Sequence, residues 1–243
     1  MEQKAQTDQT AIISSKLNES VLSVLGASDL VGFEKAYHIA SAIDFLRENL
    51  NDEYMKPIMK LQGSRLGFKT DKDIHPQTKQ KGIGYPMDIV KDCLIDAVLI
   101  GVEPYGNQFN IIANQTYITK EGYGYLLGKI KGLKYSIKPE LPRINVEKGS
   151  GAVEMKIKWS FNGETKEETV DFATKVNAYM GADAVIGKAT RKARAWLFNQ
   201  VSDIEITDGD AEDAEFTIVT PTAEDKKEVL RQRNVNSKPV DLP

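Results

Sequence analysis

Apolar residues recur every three or four positions in the first part of the chain, which is the period of amphipathic helices. From Ile12 to Leu61 the pattern predicts helices, with one apolar stripe ending at Gly26 and a longer one capped by Ser28. A further helix opens near Pro86 and ends at Gly101, a residue type that commonly follows a helix. The N-terminal part is therefore predicted to be helical.

The pattern then shortens to the two-residue period of strands. Two short strands are predicted at Gln108–Ala113 and Thr116–Thr119, with the turn at Asn114-Gln115. Thr119 is placed to cap a helix that ends at Gly132.

A longer hairpin follows this helix. Ala152–Phe161 alternates apolar and polar residues, Asn162-Gly163 is a strong turn signal, and Glu164–Val170 is the predicted partner strand. Two shorter strands, Lys134–Lys138 and Arg143–Glu147, precede it and are separated by prolines. These elements predict a small antiparallel sheet.

A long basic helix is predicted from about Thr174 to Val201. Its apolar residues lie on one arc and its cations on the opposite arc, with no acid between Lys188 and Asn199. Like charges four residues apart destabilise a helix, so this arrangement favours a polyanionic partner. The cations are Lys188, Arg191, Lys192 and Arg194.

Charge and composition divide the 243 residues into three parts. Residues 1–10 are polar and predicted to be disordered. Residues 11–202 form the predicted α+β core, in which 63–84 is a basic flexible loop with four glycines. Residues 203–243 are predicted to be an acidic linker and a disordered tail. Nine carboxylates and no Lys or Arg lie between residues 203 and 225; without them 32 basic residues face 26 acidic ones, a balance of +6.

Several classes of protein are disfavoured by composition. No apolar run is long enough to span a membrane, and the polar N-terminus has no signal-peptide core, so a cytoplasmic protein is expected. The single cysteine, Cys93, leaves no internal disulfide and no cysteine zinc cage. His38 and His75 lie far apart and show no metal-ligand pattern.

Two short motifs carry a family resemblance. Ile100-Gly101-Val102-Glu103-Pro104 follows the first helix of this region, and Gly122-Tyr123-Gly124-Tyr125-Leu126 opens the next one after a hairpin. With the later basic helix, this order resembles the RecT/Redβ-type single-strand DNA annealing proteins of phages over roughly residues 86–202. Gly124 departs from the family pattern, which has a lysine there, and Tyr125 replaces its second glycine.

The resemblance implies a protein that binds single-stranded DNA and anneals complementary strands without ATP during phage-type homologous recombination and DNA repair. It implies a homo-oligomer, a ring or helical filament, on the single strand and on the annealed duplex. It also makes an exonuclease and a single-strand binding protein candidate partners. No cofactor and no catalytic or metal site are expected, and the missing Gly-x-x-x-x-Gly-Lys-Ser/Thr loop agrees with ATP independence.

The expected contacts to DNA are mainly cations that hold the phosphate backbone and leave the bases available. Tyr123 matches the motif tyrosine, which either stacks on a base or braces its helix. The expected backbone contacts are Lys129, Lys131, Lys156, Lys158, Lys188, Arg191, Lys192 and Arg194.

Three other functions remain open at this stage. Gly122, Gly124 and Gly128 have the spacing of a dinucleotide-binding turn, although a hairpin follows them instead of a parallel crossover. Glu154-Met155-Lys156, with Glu140 upstream, loosely resembles the metal site of a nuclease. An oligomeric scaffold that binds acidic protein is the third.

Overall fold

The computed structural model describes residues 2–27, 29–75, 78, 80–202 and 206, with the backbone alone for residues 2–9. Apart from Ile206, the predicted acidic linker and tail after residue 202 lie outside the described residues. The described chain is a mixed α+β fold, which confirms the predicted fold class. No helix among these residues is both long and apolar enough to cross a membrane.

The N-terminal part consists of helices α1 (Glu2–Leu25), α2 (Gly32–Asn49) and α3 (Asp52–Ile58), followed by a single 3₁₀ turn. The disorder predicted for residues 1–10 is wrong for residues 2–10, which belong to α1. Glu, Gln, Lys and Ala are good helix formers, so a helix can continue there without an apolar stripe. The predicted Ser28 cap lies outside the described residues, and α2 begins after Val31.

The basic segment 63–84 is more structured than predicted. Its strand β1 (Lys69–Thr70) pairs with a later strand, and Phe68 is fully buried with its ring centroid 4.9 Å from that of Phe109. The Gln62 side chain accepts a hydrogen bond from the Tyr85 backbone N–H and donates one to the Tyr85 carbonyl oxygen, which ties the two ends of the segment together. A single buried aromatic has no periodicity, so sequence pattern missed this anchor.

The region between Pro86 and Lys129 follows the prediction closely. Helix α4 (Met87–Ile100) ends at Gly101, and β2 (Phe109–Ile112) and β3 (Gln115–Ile118) form a hairpin. With β1 they make a three-stranded sheet. The turn is one residue earlier than predicted, because Ala113 and Asn114 are the two residues with positive φ, 51° and 63°.

The second sheet contains β4 (Lys134–Pro139), β5 (Arg143–Asn145), β6 (Ser150–Phe161) and β7 (Glu164–Lys175). Strand β6 is central: β4 and β5 pair antiparallel with successive parts of one edge, and β7 pairs with the other. Asn162 and Gly163 form the β6–β7 turn with positive φ, as predicted.

Helix α6 (Ala182–Val201) packs between α5 (Lys120–Lys129) and the inner face of the second sheet. It begins later than predicted because β7 continues to Lys175, and Phe172, Thr174 and Val176 alternate as buried residues. Val185, Ala189, Ala193 and Leu197 form the predicted apolar arc and are fully buried. This helix therefore joins the two halves of the core.

Candidate nucleic-acid interface

The outer face of the second sheet carries a cluster of lysines. On β6 the inward-facing Val153, Met155 and Ile157 are fully buried, whereas the alternating residues Lys156 and Lys158 point away from the core and are exposed. Because α6 packs only on the inner face, no described element covers the outer one.

Strand register brings further lysines to the same face. Lys138 lies directly opposite Lys156, Ser136 opposite Lys158, and Lys134 opposite Ser160. Directly opposed residues of antiparallel strands share a face, with their Cβ atoms about 5 Å apart. Lys134, Lys138, Lys156 and Lys158 are named the lysine face below.

Carboxylates neutralise only half of the lysine face. Lys156 Nζ lies 2.7 Å from Glu140 Oε1, and Lys158 Nζ lies 3.6 Å from Glu167 Oε2. The hydrogen bond from Lys156 lowers the pKa of Glu140 below its ordinary value and raises the pKa of Lys156. Both pairs are exposed, so each holds its lysine only weakly. Among the described residues, no salt bridge involves Lys134 or Lys138.

The lysine face carries no ring, and the neighbouring outward positions hold hydroxyl groups together with the carboxylates of Glu154, Glu167 and Asp171. Ser136 and Ser160 share it, and on β7 Thr165 and Thr169 continue the rows that start at Lys134 and Lys138. Among the outward positions of β4, β6 and β7, all of which the structure describes, none is aromatic. This surface offers cations and hydroxyl donors for phosphates, and no platform for stacking bases.

Lys129 and Lys131 lead up to this face from the end of α5. Lys131 is exposed in the turn before β4. Lys129 is exposed too, but its Nζ lies 4.3 Å from the ring centroid of Tyr125 and donates to the carbonyl oxygen of Gly101 over 3.4 Å.

The two motifs that carry the family resemblance meet at this point. The Tyr125 hydroxyl donates a hydrogen bond to the Glu103 carboxylate, which joins the second motif to the first. Burial, with help from the Glu103 hydrogen bond, raises the pKa of Tyr125. The tyrosine hydroxyl and the Lys129 bond to Gly101 therefore hold the start of the α4–β2 connection against α5.

Tyr123 belongs to the core in this structure. Its side chain is fully buried, with its ring centroid 6.2 Å from that of Phe198 on α6. Of the two roles expected for this residue, the position corresponds to bracing the helix, because stacking on a base needs an exposed ring face.

Arg191 is also internal, which corrects its expected place on a solvated basic arc. It is 5% exposed, and its Nε donates to the carbonyl oxygen of Ile118 over 2.7 Å. Its guanidinium carbon lies 3.9 Å from the ring centroid of Tyr117. The helical wheel placed this side chain opposite the apolar arc correctly, but that side of α6 packs against β3 and α5.

Arg194 makes a similar bond one turn further along α6. It donates to the carbonyl oxygen of Lys120, in the first turn of α5. A Cβ at position 124 would lie 2.8 Å from Arg194 Nη1. Glycine at position 124 therefore makes room for this guanidinium.

Lys188 and Lys192 are the other two cations of the predicted basic arc. They do not share a surface with the lysine face. Lys188 is exposed, and its Nζ donates to the carbonyl oxygen of Lys175 at the end of β7 over 3.1 Å. Lys192 is half-buried. Both belong to the helix that packs on the inner side of the sheet, whereas the lysine face points outward.

The expected DNA-contacting cations therefore do not lie on one surface of a single chain, because the sheet separates α6 from the lysine face. The sequence prediction also omitted Lys134 and Lys138 as binding residues. Their alternation along β4 was visible, but their position beside Lys156 and Lys158 depends on the β4–β6 register, which sequence spacing does not specify.

The glycines of the dinucleotide-like spacing are accounted for by close packing. A Cβ at position 122 would lie 2.0 Å from the Gln108 carbonyl oxygen, and the Arg194 guanidinium lies over Gly124. Gly122 N–H donates to the Thr119 side chain, the predicted helix cap, over 3.1 Å. Protein atoms therefore occupy the space beside both glycines.

Two of the residues that resemble the metal site of a nuclease form an ion pair with each other. Glu140, the upstream acid of that pattern, is bonded to Lys156. Across the part of the chain that the structure describes, His, Cys, Asp and Glu form no group of three that could hold a metal ion.

Burial raises the pKa of the Cys93 thiol to about 11, so it is protonated at neutral pH.

Comparison of the chain with models of protein families, with curated proteins and with solved structures gave no match.

Proposed function

We propose that this protein binds single-stranded DNA through its phosphate backbone on the lysine face and anneals complementary strands without ATP. The proposal rests mainly on one observation. Four lysines lie on an uncovered face of the sheet, and two of them, Lys138 and Lys156, are directly opposite each other on neighbouring strands. Like charges directly across a sheet are destabilising, so their juxtaposition favours a role in binding anions.

The spacing of the lysine face suits a polyanion. Side chains two residues apart on a strand are separated by about 6.8 Å. Phosphates of one strand of B-form DNA advance by about 3.4 Å per nucleotide along the helix axis, so lysines at this separation are close enough together to contact phosphates of nearby nucleotides. Cations arranged in two adjacent rows can therefore contact several phosphates, and Lys131 extends the surface towards α5.

The lack of rings on the outward positions of β4, β6 and β7 supports annealing over storage of a single strand. Proteins that sequester single strands commonly stack the bases on aromatic side chains. On the lysine face the bases of a backbone-bound strand remain free to pair with a second strand, and that pairing supplies the specificity.

The wider setting rests on the resemblance of the two motifs. We propose a cytoplasmic protein of phage-type recombination that acts as a homo-oligomer, with an exonuclease and a single-strand binding protein as candidate partners. Side-by-side copies would extend the lysine face into a longer track for one strand.

The test compares two variants that lose the same charge. K134Q/K138Q removes two lysines of the lysine face, and K16Q/K148Q removes two exposed lysines elsewhere. Binding of a fluorescein-labelled (dT)30 is measured by anisotropy between about 50 and 300 mM NaCl. The slope of log K against log salt is negative. Its magnitude is expected to decrease by about 1.4 in K134Q/K138Q and to change little in the control.

Annealing is measured separately with two labelled complementary oligonucleotides, in EDTA and without nucleotide. The wild-type chain is expected to accelerate pairing, and K134Q/K138Q is expected to do so less. An unchanged salt slope in K134Q/K138Q would remove the lysine face from the binding site. Binding without acceleration of pairing would overturn annealing and leave binding.

A further inference from the structure

Helix α6 ends on the inner side of the second sheet, near the β6–β7 turn, and an acidic stretch of sequence follows it directly. Gln200, Val201 and Ser202 line a cavity with Trp159, Phe161 and Asn162 at the β6–β7 turn. Ser160, between two of these residues, is opposite Lys134 on β4. Helix α6 therefore ends at the end of the sheet that carries Lys134.

The start of the acidic stretch is held at the core. Ile206 is half-buried and packs against the hydrophobic core. The next residues include five carboxylates within eight positions and no cation: Asp208, Asp210, Glu212, Asp213 and Glu215.

Residues 207–215 are long enough to reach the lysine face from Ile206. Nine residues, 207–215, can span up to about 30 Å when extended. Adjacent structural layers are separated by about 10 Å, so the segment can pass around the end of the sheet to its outer face. A tethered ligand of this kind acts at an effective concentration of the order of millimolar.

We propose that the carboxylates of residues 208–215 dock on the lysine face of the same chain and compete there with nucleic-acid phosphates. The competition with DNA rests on the proposed function. The docking of the segment on the lysine face rests on the positions of Ser202 and Ile206. The lysines without salt bridges among the described residues, Lys134 and Lys138, are the natural partners of the carboxylates. Charge complementarity selects this segment because residues 203–225 carry nine acidic residues and no cation, whereas the rest of the chain has 32 basic and 26 acidic residues.

The contact is tested without DNA by zero-length carbodiimide cross-linking and mass spectrometry of the full chain, using a mixture of ¹⁴N- and ¹⁵N-labelled protein. Cross-links within one chain are expected to join carboxylates in 208–215 to the lysine face or to Lys131 beside it, with Lys134 and Lys138 cross-linked most. They should decrease at about 0.5 M NaCl, where screening is strong. Cross-links confined to other lysines, or mainly between differently labelled copies, would overturn the proposal.

The competition is tested with a variant in which the five carboxylates become amides: D208N, D210N, E212Q, D213N and E215Q. Its affinity for (dT)30 is expected to rise about tenfold at about 50 mM NaCl and by less at about 300 mM, because the contact is electrostatic. A control with the same net charge neutralises five exposed acids away from the end of α6: E34Q, D44N, E48Q, E147Q and E168Q.

Equal affinity gains in the two variants would overturn the competition, since net charge alone would then explain them. If neither variant nor the wild-type chain binds (dT)30 but the intramolecular cross-links form, the proposed function fails while the contact stands. If the chain binds DNA and no such cross-links form, the proposed function stands and the docking is overturned.

Discussion

Lys138 and Lys156 face each other across the β4–β6 pair on the outer side of the sheet. Neighbouring like charges in this position cost stability, and the salt bridge to Glu140 offsets that cost for Lys156 only. Lys134, by contrast, is opposite Ser160.

This difference predicts that two similar variants differ in stability. K138Q is expected to increase the free energy of unfolding by a few tenths of a kcal/mol at low salt, and K134Q to leave it nearly unchanged. The gain should disappear near 1 M NaCl, where the Debye length is about 3 Å. Urea unfolding at both salt concentrations provides the measurement; a K138Q gain that persists at 1 M would contradict the electrostatic origin.

Arg191 is predicted to act on stability and not directly on DNA. R191M keeps the stem but loses the bond to the Ile118 carbonyl oxygen, so unfolding should be easier by about 2 kcal/mol. R191K should also be destabilised, because an ammonium cannot reproduce the planar stacking on Tyr117. R65M, at an exposed arginine, is the matched control for urea unfolding.

The folded fraction of R191M is expected to keep the wild-type salt slope for (dT)30. A slope reduced by about 0.7 in folded R191M would instead place this guanidinium on a phosphate.

Gly124 and Arg194 are predicted to be coupled. Alanine favours a helix over glycine by about 1 kcal/mol, but here its Cβ would push the guanidinium away from the Lys120 carbonyl oxygen. G124A should therefore stabilise the R194A background by about 1 kcal/mol and the wild-type background by less. A double-mutant cycle from urea unfolding measures the difference, and equal effects in the two backgrounds would show that the pair is independent.

Tyr85 is predicted to make stability sensitive to alkaline pH. Its hydroxyl donates to Asp71 Oδ1 over 2.7 Å and accepts the Asn114 N–H over 3.2 Å. Burial is the main cause that raises the pKa of this phenol from 10.0 to about 12. Since the pKa of Tyr85 is higher in the folded state than in the unfolded state, the protonated phenol stabilises the fold. This contribution to the free energy of unfolding is complete below pH 10 and is lost as pH rises towards 12.

Y85F removes this titration together with the two hydrogen bonds. At pH 9 it should be less stable than wild type by about 1–3 kcal/mol. The gap should narrow as the pH approaches 12, as measured by urea unfolding at pH 9, 10 and 11. A gap that stays constant over this range would show that the phenol does not titrate differently on unfolding.

Local signals in the sequence were enough for the elements that depend on neighbouring residues. Gly101 ends α4, the Thr119 side chain caps α5, and Asn162-Gly163 forms the β6–β7 turn, as predicted. Each of these features is determined by backbone conformation over three or four residues, which is the range that sequence patterns describe well.

Partners distant in sequence were not predictable in the same way. The bonds from Arg191 and Arg194 reach carbonyl groups 73 and 74 residues away, and long polar side chains look alike on a helical wheel whether solvent or another helix faces them. Phe68 and the pairing of Lys138 with Lys156 depend likewise on how separate segments dock.

The place of α6 between α5 and the inner face of the sheet has a consequence for synthesis of the chain. Until residues 182–201 leave the ribosome, both of those apolar surfaces remain in water and neither layer can be closed. Completion of the fold should therefore come late in translation, and a chain that stops before Ala182 is expected to aggregate instead of forming a smaller stable unit.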